Sequence, residues 1–193
     1  LLGDQELAMD TKKINELFLR SRAPIIGTNL VVPGIDNLIP HLIVNRAGLR
    51  VAILGIINDH ILKFYPEEIR NRIKLSDPIK AVRSKMKQLK NKADVFILLT
   101  HQGIDFDQEL ASAIDSLDII VGGHSQSVIH EPGEVNGSLI VQAGKDGYYV
   151  GVVQLNFKDG KIHSKNGKLE PMLLNMPNDS RVLSMIKEYK NYF

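Results

Sequence analysis

Apolar and polar positions change their period twice along this chain. Ile14, Leu17 and Phe18 recur at helical spacing up to Arg20, with Asp10 or Thr11 placed to cap the first turn. Pro24 ends that period, and residues 25–32 read as a strand closed by Pro33-Gly34. Residues 42–44 and 50–57 flank Arg46-Ala47-Gly48, which predicts a hairpin with glycine in the turn. Residues 58–75 are irregular, except that Tyr65-Pro66-Glu67-Glu68 opens a short helix.

The middle of the chain is more regular. Asp77 caps a helix with Pro78 at its first position, burying Ile79, Val82, Met86 and Leu89. An apolar strand at 95–99, a helix at 106–114 and a strand at 119–121 then form a βαβ unit with parallel pairing. Short, wholly apolar runs flanked by Asp94 and Asp118 are the pattern of strands buried on both faces. Further on, residues 139–142, 148–157 and 161–164 read as short strands between glycine-rich turns, with Asp159-Gly160 a hairpin signal. A last amphipathic helix, capped near Asp179, carries Val182, Leu183, Ile186 and Tyr189. One α/β domain over residues 1–193 with a mixed sheet is the economical reading.

Both apolar strands deliver a histidine at their carboxyl end, where α/β sheets place their ligands. Thr100-His101-Gln102-Gly103 follows the first, and Gly122-Gly123-His124-Ser125-Gln126 follows the second. A single histidine in such a place more often bonds to a loop backbone. Two of them can meet over one point, and neutral imidazole is the commonest metal ligand. The glycine pair before His124 permits close backbone approach. His60 stands at another strand end on the same side, either lining this site or in loop. His41, His130 and His163 are expected exposed and structural, and Tyr148-Tyr149 is expected to pack.

Composition narrows the partners. A net charge of +2 argues against a nucleic-acid surface, and the lysines between 80 and 92 fall on a solvated helix face. No apolar stretch approaches the ~18 residues that span a bilayer, so no membrane is expected. The absence of cysteine excludes thiolate metal sites, disulfides and cysteine nucleophiles. The chain opens Leu1-Leu2-Gly3 with neither an initiator methionine nor a leader, as a piece of a longer polypeptide would.

These motifs give the chain a resemblance to the calcineurin-like metallophosphoesterases, specifically the catalytic domain of the 5′-nucleotidase branch. That family ends one strand with Ser/Thr-His and the next with Gly-Gly-His-Ser-His or Gly-Gly-His-Ser-Gln. Both occur here in order, joined by a helix of matching size, and Gln142-Ala143-Gly144 and Gly151 continue the match. The resemblance implies an α/β sandwich of two mixed β-sheets flanked by helices, present here without its N-terminal strands. It further implies a dinuclear centre of divalent ions (zinc, manganese or similar) that hydrolyses a phosphate ester, with nucleotides as the substrate class. It also implies a periplasmic or extracellular location. The helix over 179–193 resembles the linker to a C-terminal nucleotide-recognising domain.

Carried over residue by residue, the resemblance makes His101 and His124 ligands of one ion and Gln126 a ligand of its neighbour through the side-chain oxygen. Asp4, in Gly3-Asp4-Gln5-Glu6, takes the place of the family's asparagine ligand. Gln5 stands where the family has its catalytic histidine, and Ala8 where that histidine's orienting acid would be. Glutamine donates a hydrogen bond but transfers no proton at neutral pH. Losing a general acid removes about 10²–10⁴-fold of rate. The bridging carboxylate of the family has no counterpart here, leaving a centre that is incomplete or lost. Two readings therefore stand side by side: a phosphoesterase, or a catalytically degraded domain serving as a binding or structural module. Asp4 is either a ligand of a residual single-metal site or the cap of a helix or turn.

Overall fold

The first residues form a short helix. In the computed structural model, which describes residues 1–193 apart from 22, 36 and 191–193, a one-turn helix α1 (Asp4–Ala8) begins at Gly3, whose N–H donates to the Glu6 carboxylate over 2.8 Å. Helix α2 (Thr11–Arg20) starts from Asp10, which accepts from the Lys13 N–H, and it buries Ile14 and Phe18.

The single strand read at 25–32 is two short ones, β1 (Ile25–Ile26) and β2 (Leu30–Val31). Side chains between them replace a strand ladder. Thr28 Oγ1 donates to the Pro40 carbonyl, while the Asn29 amide donates to the carbonyls of Ile57 and Ser76 and accepts from the Ile57 N–H. This redirects the chain, so β1 pairs in parallel with β3 (Leu38–Ile39) while β2 turns to a different partner.

Strands β4 (Leu42–Arg46) and β5 (Leu49–Ile57) form the predicted hairpin. Its two turn residues, Ala47 and Gly48, both have positive φ, the type I′ geometry that suits strand twist. The stretch read as irregular holds a 3₁₀ turn at Asp59–Leu62, the short helix α3 (Glu67–Arg72) and β6 (Lys74–Leu75), which pairs with β2. Asp77 and Pro78 open α4 (Pro78–Leu89) as expected, and Val82, Met86 and Leu89 are buried.

Next come β7 (Val95–His101), α5 (Ile104–Ala113) and β8 (Ile119–Val121), with β9 (Glu134–Val135) and β10 (Ser138–Val141) after them. The main sheet runs β4-β5-β7-β8-β10-β9. β5, β7, β8 and β10 are parallel, in a register that sets Ile57 beside His101.

Alternation along these strands divides the core. Leu54, Leu98, Ile120 and Ile140 face α4 and α5 and belong to one buried cluster with Val82, Leu110 and Ile114. Ile119, Leu139 and Val141 face the other way and meet Val153 and Leu155. Those two come from a long hairpin, β11 (Tyr149–Lys158) and β12 (Lys161–Pro171), turning at Asp159-Gly160. The strand expected at 161–164 thus extends far beyond its predicted end, because cross-strand pairing with β11 continues to Pro171. The result is an α/β fold with several sheets: one wide and mixed, the others two-stranded.

Helix α6 (Ser180–Lys190) follows Asp179, whose carboxylate accepts from the backbone of Arg181 and Val182. No residue of this helix is buried. The expected helix ran further, and its residues 191–193 lie outside the described ones. Among the described residues, no helix is long and apolar enough to cross a membrane.

Candidate metal centre

Three elements meet at the carboxyl edge of the main sheet. His101 is the last residue of β7, His124 lies in the turn after β8, and Asp4 opens α1. Asp4 Oδ1 lies 2.7 Å from His101 Nε2 and 3.8 Å from His124 Nδ1, and the two ring nitrogens are 3.3 Å apart. In a tetrahedral site with bonds of ~2.0–2.1 Å, ligand atoms stand about 3.3 Å from one another. The observed separations bracket that spacing, so one carboxylate oxygen and two imidazole nitrogens fit the donor set of a single divalent cation. All three side chains are partly exposed, so solvent reaches them.

Asp4 does not cap its helix. Gly3 occupies that position, and the Asp4 carboxylate is turned instead toward His101 and the hydroxyl of Tyr65, which donates to Oδ2 over 3.0 Å. Burial pushes the Asp4 carboxyl up, but hydrogen bonds from His101 and Tyr65 outweigh it and hold the group below the usual carboxylate range. Gly3, Asp4, Gln5, Glu6, His101, His124 and Gln126 line one open cleft of about 370 Å³. Asp4, Gln5, His101, His124 and Gln126 therefore share one cleft, whose lining does not include Ala8 or His60. Gln5 is exposed at its edge, and Gln126 is exposed next to His124.

The turn carrying His124 is strained. His124 and Gln126 both have positive φ, 75° and 55°, a region that non-glycine residues enter at a cost of about 1–3 kcal/mol each. Hydrogen bonds hold it there. Gly103 N–H donates to the Gly123 carbonyl, and Ser125 Oγ accepts from the Ile104 N–H at the start of α5. Both histidine turns are thus tied to the same helix end.

Two nearby residues lie outside the two histidine motifs. Tyr65 lies in the segment read as irregular. His60, left between site and loop, stacks on Phe106 with ring centroids 4.0 Å apart and meets His124 edge-on at 6.0 Å. Burial, with a smaller contribution from His124, lowers the pKa of His60. The signal that finds it is strand order: β5 runs beside β7, so residues just after Ile57 fall next to His101. His130 and His163 are exposed as expected, but His41 is half-buried, with Nδ1 shielded from solvent. Tyr149 packs edge-on against His130. Among the described residues, Asp4, His101 and His124 form the single group of three such donors.

No family model matches the chain. Its sequence is 26% identical over 178 residues to a protein described as the uncharacterized metallophosphoesterase YunD of Bacillus subtilis, covering 89% of this chain and 38% of that protein. It is 28% identical over 166 residues to a 5′-nucleotidase of Vibrio cholerae, with coverages of 70% and 30%. An apyrase of Anopheles gambiae is 30% identical over 182 residues, with coverages of 80% and 31%. The chain thus spans about a third of the length of the curated relatives it matches. Among solved structures, a 5′-nucleotidase precursor of Thermus thermophilus superposes with a TM-score of 0.85 at 23% identity, covering 98% of this chain and 42% of that one. The calcineurin-like phosphoesterase YfkN of Bacillus subtilis gives 0.82 at 20% identity, with coverages of 98% and 69%.

Proposed function

Proceeding from a chain folded as the calcineurin-like phosphoesterases are, with relatives among metallophosphoesterases and 5′-nucleotidases, we propose that it contributes the cation-binding half of a phosphoester hydrolase acting on nucleotides. The observation that carries this is the convergence of Asp4 Oδ1, His101 Nε2 and His124 Nδ1 within 4.8 Å of one another. A divalent cation held there supplies Lewis acidity toward a phosphoryl oxygen and makes water easier to deprotonate.

The chain's own residues do the rest. Tyr65 fixes the rotation of the Asp4 carboxylate so that Oδ1 faces both imidazoles. Gln126 lines the same cleft, and its side-chain oxygen would be a hard donor suited to a second cation. Gln5 can donate an amide hydrogen bond to a phosphoryl oxygen and orient the ester, but it leaves the departing oxygen without a proton donor. The reading carries with it an exported protein, periplasmic or extracellular.

Gln5 and Ala8 favour a second reading, in which the cleft still binds a cation and a phosphate ester but turns it over poorly, as a binding module. Metal analysis and phosphatase assays on the full chain, with nucleoside monophosphates and an aryl phosphate, separate the two. Bound divalent ion with turnover supports the hydrolase. Bound ion without turnover supports the binding module, and the absence of bound ion after loading with zinc or manganese sinks both.

A further inference from the structure

Behind the cleft, and outside it, lies a buried polar seam. Gln142, at 3% exposure, follows β10, and its Oε1 accepts from Ser125 Oγ over 2.9 Å and from the Ser127 N–H over 2.5 Å. Ser125 and Ser127 bracket Gln126, and Ser125 directly follows His124. One buried carbonyl oxygen therefore anchors the strained segment in which His124 and Gln126 both hold positive φ. The other end of the same amide, Nε2, lies against Gly122, where a Cβ would stand 3.0 Å from it and 2.5 Å from Asp107 Oδ2. Asp107, fully buried, accepts at Oδ1 from Gln102, the residue after His101. The seam thus touches the turns of both histidines while contributing no atom to the cleft.

We infer that Gln142 is a positioning residue: its side-chain carbonyl, by holding Ser125 and Ser127, sets where His124 and Gln126 present their donor atoms. The inference deepens the proposed cation site and rests on that reading for its consequence in binding. A neutral amide suits the task because it accepts two hydrogen bonds without placing a second buried charge beside Asp107. Methionine at this position fills similar volume but offers only a weak acceptor. Two of the hydrogen bonds that hold the turn against its strain would go with it.

The test uses the full chain with its histidine rings isotopically labelled, as wild type, Gln142→Met and Ser125→Ala. In Gln142→Met the ring signals of His124 and His101 should shift or broaden, while those of His130 and His163 stay in place. Cobalt(II) affinity, read from the visible spectrum, should fall about 10–100-fold, the usual cost of losing a partner that orients ligands. Ser125→Ala, at an exposed position, should weaken binding less and keep its unfolding midpoint, so it carries the test if Gln142→Met does not fold. Unmoved imidazole signals in both variants, with cobalt affinity within twofold of wild type, would overturn the inference. Should the wild type bind no cobalt, the cation site itself fails, and the ring signals alone decide whether Gln142 positions the turn.

Discussion

Tyr65 donates its phenolic hydrogen to Asp4 Oδ2 over 3.0 Å, joining residues 61 positions apart. The bond leaves Oδ1 free to face His101 at 2.7 Å, so one carboxylate is oriented from both sides. Tyr65→Phe removes one of the two side-chain hydrogen bonds that offset burial at Asp4. The Asp4 pKa should then rise toward the ordinary carboxylate value, as followed by carbon NMR of its carboxyl group. The sign for stability follows. A depressed carboxyl contributes stability above its unfolded pKa, ~3.9, and loses it as pH falls through the folded value. Tyr65→Phe should shrink that contribution, and an unmoved Asp4 midpoint would show that the phenol has no such effect.

Asp107 behaves in the opposite sense. Burial pushes its carboxyl up to about 6, against the opposing hydrogen bond from Gln102. Between the unfolded value of ~3.9 and about 6, the folded chain holds a proton that the unfolded chain has released, so stability falls as pH rises through that window. A shift of about two units corresponds to roughly 3 kcal/mol at most. Asp107→Asn should flatten the stability profile between about pH 4 and 6 in urea denaturation. A wild-type profile that is already flat there would refute the assignment.

The contrast between these two acids shows what the sequence discloses. Asp94 and Asp118 announced the buried strands, and the two histidine turns announced the cleft, because each signal is local to a strand end. Parallel pairing then converts sequence order into spatial adjacency, as Ile57 beside His101 illustrates. Tyr65 and Asp107 carry no such local mark. Tyr65 reaches Asp4 from a segment without period, and Asp107 sits at a helical position whose burial depends on Gly122 coming close. The split of residues 25–32 into two strands likewise turns on Thr28 and Asn29 bonding to Pro40, Ile57 and Ser76, partners far along the chain. Glu6, rather than Asp4, supplies the bond at the α1 start, a choice between two neighbouring acids that spacing leaves open.

Gln5 offers a direct probe of catalytic competence. It is exposed at the lip of the cleft, and Ala8 lies one turn further along. The double change Gln5→His with Ala8→Asp restores a proton donor and an acid to orient it. If the cleft binds phosphate esters, turnover of a nucleoside monophosphate should rise by about 10²-fold or more over wild type, the smaller end of what general acid catalysis contributes. Equal rates in the two proteins would mean that proton donation at this position does not limit the reaction.

Gly122 should tolerate no side chain, and the reason is space rather than backbone conformation. Its Cβ would approach Asp107 Oδ2 to 2.5 Å and Gln142 Nε2 to 3.0 Å, both on buried residues that cannot swing into solvent. Overpacking of this kind costs about 1–3 kcal/mol. Gly133→Ala is the matched control, since nothing lies within 4 Å of its added carbon, and it should change stability by less than about 0.5 kcal/mol. Shortening the acid relieves the closest clash, so Gly122→Ala combined with Asp107→Ser should cost less than the sum of the two single changes, a coupling of about 0.5–3 kcal/mol. Strict additivity in denaturant unfolding would place the Asp107 carboxylate away from Gly122 and break the link between the two histidine turns.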